Sequence, residues 1–303
     1  MGHDHASSST RNRSRLSIVI GIVSVVLVAE VIGAWITGSL ALLADAGHMF
    51  SDLAGLIIAL TATVVAARPA TDRQTFGYQR AEVFGAMLNG LILLVVAGFV
   101  VFGAVNRLMQ GDPPEVLAMP MLVVAVIGLI ANVVGILLLR PTAAGSINMR
   151  GAYLEVVGDL FGSIAAIVAG VVILTTGFQL ADAIASLVIV VLIVPRAFVL
   201  LRDVVRVLSE AAPHGTDVEA IRAHILGANG VIDVHDVHVW AITSGAPVFS
   251  AHVVVSAELF ESGGTGALLD ELSGCLAGHF DVEHSTFQLE PAEHASHEEQ
   301  FHR

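Results

Sequence analysis

Two short polar clusters stand inside long apolar runs: Asp45, His48 and Asp52 in the stretch 44–52, and Glu155 and Asp159 in the stretch 150–159. His48 and Asp52 are four residues apart, as are Glu155 and Asp159. At 3.6 residues per helical turn, both members of each pair project from one face, one above the other. Two such faces brought together make a cage of four ligand-type side chains, one imidazole and three carboxylates. An ionised residue at the centre of a membrane helix costs about 2.5–3.5 kcal/mol on translocon-type scales, so several in two helices need compensation. A bound divalent cation supplies it. The competing reading is a set of interhelical salt bridges or hydrogen bonds, but neither stretch offers a Lys or Arg at membrane depth.

The elements that must position these residues are long. Of the 303 residues 55% are hydrophobic and 14% charged, and the apolar residues come in runs of 20 or more, which excludes a soluble core and points to a polytopic helical membrane protein. Hydropathy predicts six spans, at about 16–36, 40–67, 82–106, 117–139, 150–175 and 182–201. The first is too long for a signal peptide, so it is expected to be an uncleaved span. Arg68, Arg73, Arg80, Arg140 and Arg150 follow the second and fourth spans, and Arg11, Arg13, Arg15, Arg202 and Arg206 flank the set, whereas the opposite loops carry Arg107. By the positive-inside rule both termini are cytoplasmic. The cluster-bearing second and fifth spans then run in opposite directions, each as the middle helix of a three-helix half. His48-x3-Asp52-Leu53-x-Gly55 echoes Glu155-x3-Asp159-Leu160-x-Gly162, as an inverted repeat with its site between the halves would.

The expected organisation is a flexible cytoplasmic tail (1–15), a six-helix transmembrane domain (16–206), a small α+β domain (207–291) and a His-containing tail (292–303). Charge divides along the same line. Residues 1–206 carry 12 Arg against 12 acidic residues, while 207–303 carry 2 Arg against 15, together with 10 of the 13 histidines. An acidic module of this kind repels nucleic acid and anionic lipid and attracts cations. Thr216-x-x-Glu219 is a capping-box pattern before a helix with Val218, Ile221 and Ile225 on one face. Alternating runs at 232–242 and 247–256 flank a turn at Ser244-Gly245. A helix with Leu268, Leu269, Leu272 and Leu276 then leads to a last alternating run, 282–290. The order is α-β-β-α-β, a helix-on-sheet domain. The lone Cys275 reads as a small buried helix residue.

Four motifs taken together resemble the cation diffusion facilitator family of divalent-metal/proton antiporters, of the zinc-exporter type. They are Ser39-Leu-Ala-Leu-Leu-Ala-Asp45-Ala-Gly-His48-Met-Phe-Ser-Asp52; Phe76-Gly-Tyr-Gln-Arg80-Ala-Glu82-Val; Asn148-Met-Arg-Gly-Ala-Tyr-Leu-Glu155-Val-Val-Gly-Asp159; and Val234-His235-Asp-Val-His238-Val-Trp240 with Ala251-His252-Val. The resemblance implies a six-helix exporter, usually a homodimer, in the cell (inner) membrane, which takes Zn²⁺ or a related ion from the cytosol and returns protons. It also implies a ferredoxin-like cytoplasmic domain that binds metal. His48, Asp52 and Asp159 carry over as intramembrane ligands; Glu155 departs from the histidine of zinc-type members and leaves the cage richer in oxygen, so that Zn²⁺ is the expected ion and Mn²⁺, Fe²⁺, Co²⁺ or Cd²⁺ the alternative. His235, His252 and Glu290 match the family's cytoplasmic ligand positions, with His284 as a fourth. Asp45 reads as an acceptor orienting the His48 imidazole or as part of the access path, and Glu30 as a packing or proton-path residue.

The expected activity is secondary active export, in which metal and proton compete for the same lone pairs. No prosthetic group is implied; divalent ions are the substrate. A membrane-anchored sensor leaves the intramembrane ligands unexplained, and an intramembrane hydrolase lacks an H-E-x-x-H helix or a nucleophile near the site.

Overall fold

The computed structural model describes the backbone of residues 4–110, 113–140, 147–243, 245–280, 282 and 284–295, with the side chains of 4–17, 147–152 and 295 outside the description. Among the described residues six helices are long and apolar enough to cross a membrane. They are α1 (Asp4–Thr37), α2 (Leu40–Ala66), α3 (Ala81–Met109), α4 (Ala118–Leu139), α5 (Ile147–Thr176) and α6 (Leu180–Leu208). The first differs from expectation at its start: helix occupies 4–15, where a flexible tail was expected, because a helix nucleated in the apolar span extends at the cost of one residue per added hydrogen bond. Residues 296–303, with His297 and His302, lie outside the described residues, as do His3 and Ser244.

By compactness the chain forms two units, residues 1–58 with 88–200 and residues 59–87 with 201–303. The second unit therefore includes the end of α2, the loop 67–80 and the start of α3, more than the 207–291 domain read from the sequence.

Within the first unit, α4 packs against α1 and α5. The core is built from small residues, among them Ala34, Ala41, Ala44, Ala97, Ala125, Ala166 and Ala169, because lipid gives apolar helices no reason to associate other than close packing. Large apolar side chains such as Trp35, Val95, Phe99 and Phe102 point outward. Asp182, fully buried at the start of α6, takes the Ser39 hydroxyl at 2.5 Å and the Leu40 and Ala41 amides at 2.6 and 3.2 Å, so it caps α2 from another helix. Arg107 of α3 closes the group, 3.1 Å from Asp182 and 2.7 Å from the Gly38 carbonyl.

In the second unit the order is α7 (Val218–Leu226), β1 (Val231–Ala241), β2 (Pro247–Val255), α8 (Ala257–Glu261), α9 (Thr265–Phe280), β3 (His284–Pro291) and α10 (Ala292–Ala295). The cap of α7 is one residue later than expected: the Asp217 carboxylate accepts from the Ala220 amide, which puts Thr216 outside the helix. β1 and β2 pair antiparallel and β3 joins β2 in parallel, in the order β1-β2-β3. Ile221 and Ile225 of α7 and Leu268, Leu272 and Leu276 of α9 bury the same apolar core with Phe249, Ala251 and Val253 of the central strand. A bulge breaks β1 between His235 and His238, with Asp236 at φ +47°.

Candidate metal centres

In the first unit α2 and α5 bring three of the four expected cage residues together. His48 Nε2 stands 3.4 Å from Asp52 Oδ2 and 3.5 Å from Asp159 Oδ1. Zinc bonds of about 2.0–2.1 Å place tetrahedral ligand atoms about 3.3–3.4 Å apart, so these edges match a tetrahedron with one corner open. His48 and Asp159 are buried and Asp52 is partly buried. Glu155, the expected fourth ligand, stands aside. Its carboxylate lies 3.7 Å from Arg196 Nη2, while Arg196 Nη1 reaches to 3.4 Å from His48 Nε2. The guanidinium of α6 is thus interposed between His48 and Glu155, which four-residue spacing on one helix has no means of showing. Arg196 follows Pro195, which has no N–H to give the Val191 carbonyl one turn back, so the helix ladder is broken beside the site.

Asp45 does not orient the imidazole. Among the described residues His48 Nδ1 has no hydrogen-bond partner, and Asp45 instead turns to Ser163 of α5 and Glu30 of α1. A Cβ on Gly162 would fall on the Asp45 carboxylate, just as one on Gly55 would stand 2.7 Å from Asn89 Nδ2. The two glycines of the sequence echo therefore have one purpose, clearing space for a neighbouring helix's polar side chain.

A second cluster forms in the C-terminal domain. His235 and His252 sit directly opposite each other on β1 and β2 with ring centroids 5.2 Å apart, and the buried Glu290 of β3 reaches both, 2.7 Å from His252 Nδ1 and 3.7 Å from His235 Nε2. Gln288 Nε2 donates to Glu290 at 2.8 Å and holds the carboxylate in place. One ligand atom from each of His235, His252 and Glu290 falls within 4.8 Å of the others. Two imidazoles and a carboxylate are a donor set that divalent transition metals accept. His284 is not part of this group. It sits at the other end of β3, opposite Val248, with its ring 5.6 Å from Phe76 of the 67–80 loop. His238 faces a cavity of about 1020 Å³ lined also by Arg73, Phe76, Arg80 and Trp240. Beside it, Arg80 pairs with Glu210 at 3.2 Å and the Thr243 hydroxyl donates to Glu82 at 3.2 Å.

Known proteins resemble this chain along nearly its whole length. Residues 16–209 match the family model described as the cation efflux transmembrane domain, and residues 213–292 match that of the cation efflux protein, cytoplasmic domain. The chain is 39% identical over 300 residues to the metal cation efflux system protein CzcD of Cupriavidus metallidurans, covering 97% of this chain and 92% of that one. It is 35% identical to a cadmium, cobalt and zinc/H(+)-K(+) antiporter of Bacillus subtilis, with 97% and 93% covered. It is 36% identical to the zinc transporter ZitB of Escherichia coli, with 96% and 93% covered. Six apolar helices, a three-stranded C-terminal domain and matches along nearly the whole chain lead to one conclusion: the chain is a multi-pass membrane protein that belongs to the cation efflux family, the cation diffusion facilitators.

Proposed function

We propose that the protein exports divalent transition-metal cations, Zn²⁺ foremost, from the cytosol across the inner membrane in exchange for protons, working as a homodimer with both termini in the cytoplasm. It is a transporter and not an enzyme. The observation that carries the reading is His48 Nε2 at 3.4 and 3.5 Å from two carboxylates on two apolar helices, a spacing suited to zinc. The names of the relatives support zinc as cargo and protons as counter-ion. Each ligand must shed its proton to coordinate, so the ion and protons exclude each other from the same atoms, and that exclusion couples the two fluxes. The acidic C-terminal domain, with its second cluster, concentrates cations on the side from which they are taken.

With Glu155 held by Arg196, the open corner falls to water or to a fourth ligand that the ion recruits. A site completed in this way admits Co²⁺ and Cd²⁺ too, as the name of the Bacillus relative suggests.

The test is zinc uptake into proteoliposomes with an imposed pH gradient. Uptake should follow the gradient, vanish when it is collapsed, and be lost in Asp159→Ala with the protein still monodisperse. Gradient-independent uptake, or wild-type rates in that variant, would overturn the reading.

A further inference from the structure

We propose that Glu30 and Asp45 form a counter-cation site separate from the metal cage: a carboxyl pair deep among the helices that holds one monovalent positive charge, a proton, and releases it when the cage fills. The inference deepens the exchange reading above and rests on it.

Four polar side chains from four helices meet here. Glu30 of α1 is 1% exposed, Asp45 of α2 2%, Asn132 of α4 3%, and Ser163 of α5 is fully buried. Asn132 Nδ2 donates to Ser163 Oγ at 3.2 Å, the Ser163 hydroxyl is within reach of Asp45, and the Glu30 and Asp45 carboxyls lie within hydrogen-bonding reach of each other. Two glycines make the room. A Cβ on Gly128 would stand 2.8 Å from Glu30 Oε1 and 3.2 Å from Ser163 Oγ, and one on Gly162 would stand 2.9 Å from Asp45 Cγ. Among the described residues both Glu30 oxygens are buried and receive no hydrogen bond from a donor, and neither carboxylate pairs with a Lys or Arg.

The chain of donors has a direction. An amide nitrogen only donates, so Ser163 accepts from Asn132 and its own hydrogen goes to Asp45. Asp45 is then the acceptor, and the O–H that joins the two carboxyls comes from Glu30. A single proton joins the two carboxyls and leaves one net charge to bury, whereas two ionised carboxylates facing each other without a donor repel and remain desolvated.

The pair is wired to the cage by two helices. Asp45 lies one turn before His48 on α2, and Ser163 one turn after Asp159 on α5. The titratable group facing the pair is Asp159 from α5, while α4 contributes the uncharged Asn132; His48, Asp52, Glu155 and Arg196 sit at the cage. A divalent ion in the cage opposes positive charge on the pair. Linkage makes the effect mutual, so loss of the proton tightens metal binding. The proton leaves to water on the side to which the site is open and is replaced from water on the other side once the ion has gone.

The experiment is zinc titration of the full-length protein in micelles, by calorimetry in buffers of different protonation enthalpy, which counts protons released per ion bound. Glu30→Gln should release about one proton fewer than wild type, with Glu30→Asp restoring it and Asp45→Asn losing it again. Size-exclusion profiles and thermal scans show that each variant is folded. Replacing choline with potassium separates the two sources of charge. If potassium lowers the release in wild type but not in Glu30→Gln, the pair stands as the site with an alkali cation as its occupant. Equal proton release in wild type and both Glu30 and Asp45 variants, with no response to potassium, would overturn the proposal. Binding is read without a gradient, so an absence of pH-driven flux would sink the exchange reading and leave this result intact.

Discussion

A guanidinium 3.4 Å from His48 Nε2 occupies ground that an ion in the proposed cage would need, so Arg196 would act there as a tethered cation. It offsets the charge of Asp52, Glu155 and Asp159 and would have to withdraw for an ion to bind. Replacing it with glutamine removes that competitor. Its side chain is 48% exposed, so the gain is scaled to a solvent-screened pair of at most about 1 kcal/mol, or about fivefold tighter zinc binding in Arg196→Gln. Titration calorimetry on the full-length variant checks this, and unchanged or weaker affinity would show that Arg196 does not compete with the ion. The sequence made His48, Asp52 and Asp159 legible because spacing along a helix fixes which side chains share a face. It placed Glu155 with them for the same reason, and wrongly for this arrangement, because spacing is silent about a third helix. Arg196 was readable all the same: it is the only basic residue between Asp182 and Leu201, next to the only proline of that run. An average over twenty apolar residues hides it.

At the scale of elements, all six spans were legible from hydropathy and so was the α-β-β-α-β order, since each rests on local periodicity. What failed were features set by one residue out of step. Asp217, not Thr216, caps α7, and the bulge at Asp236 puts His238 on the same face as His235, because their partners Ser250 and His252 are two apart on β2. The non-local cap of α2 was likewise invisible. Asp182→Ala would leave the Ser39 hydroxyl, two amides and the Arg107 guanidinium without their buried acceptor. Breaking a buried charged pair on one side costs about 3–5 kcal/mol, so the thermal midpoint in micelles should fall by several degrees. An unaltered midpoint would mean that water replaces the carboxylate.

For the molecule as a whole, the effects of charge and of a bound metal would coincide. Residues 207–303 hold 15 acidic residues against 2 Arg, and a cation held by His235, His252 and Glu290 would relieve their repulsion as well as join the three strands. Zinc at a hundred times its dissociation constant stabilises the species that binds it by about 2.7 kcal/mol. His252→Ala in an Asp159→Ala background, where the membrane cage is already disabled, should lose most of the zinc-induced rise in melting temperature. An equal rise in both proteins would show that these histidines are ordinary surface residues. The α2 cap has a different reach, into biosynthesis. Ser39 and Asp182 are 143 residues apart, and at about 5–20 residues per second the ribosome needs roughly 7–30 s to make the second after the first. Through that interval the Leu42 amide has its local acceptor in Ser39, but the Leu40 and Ala41 amides lack theirs, and the start of the second span is fully capped only when the last one arrives.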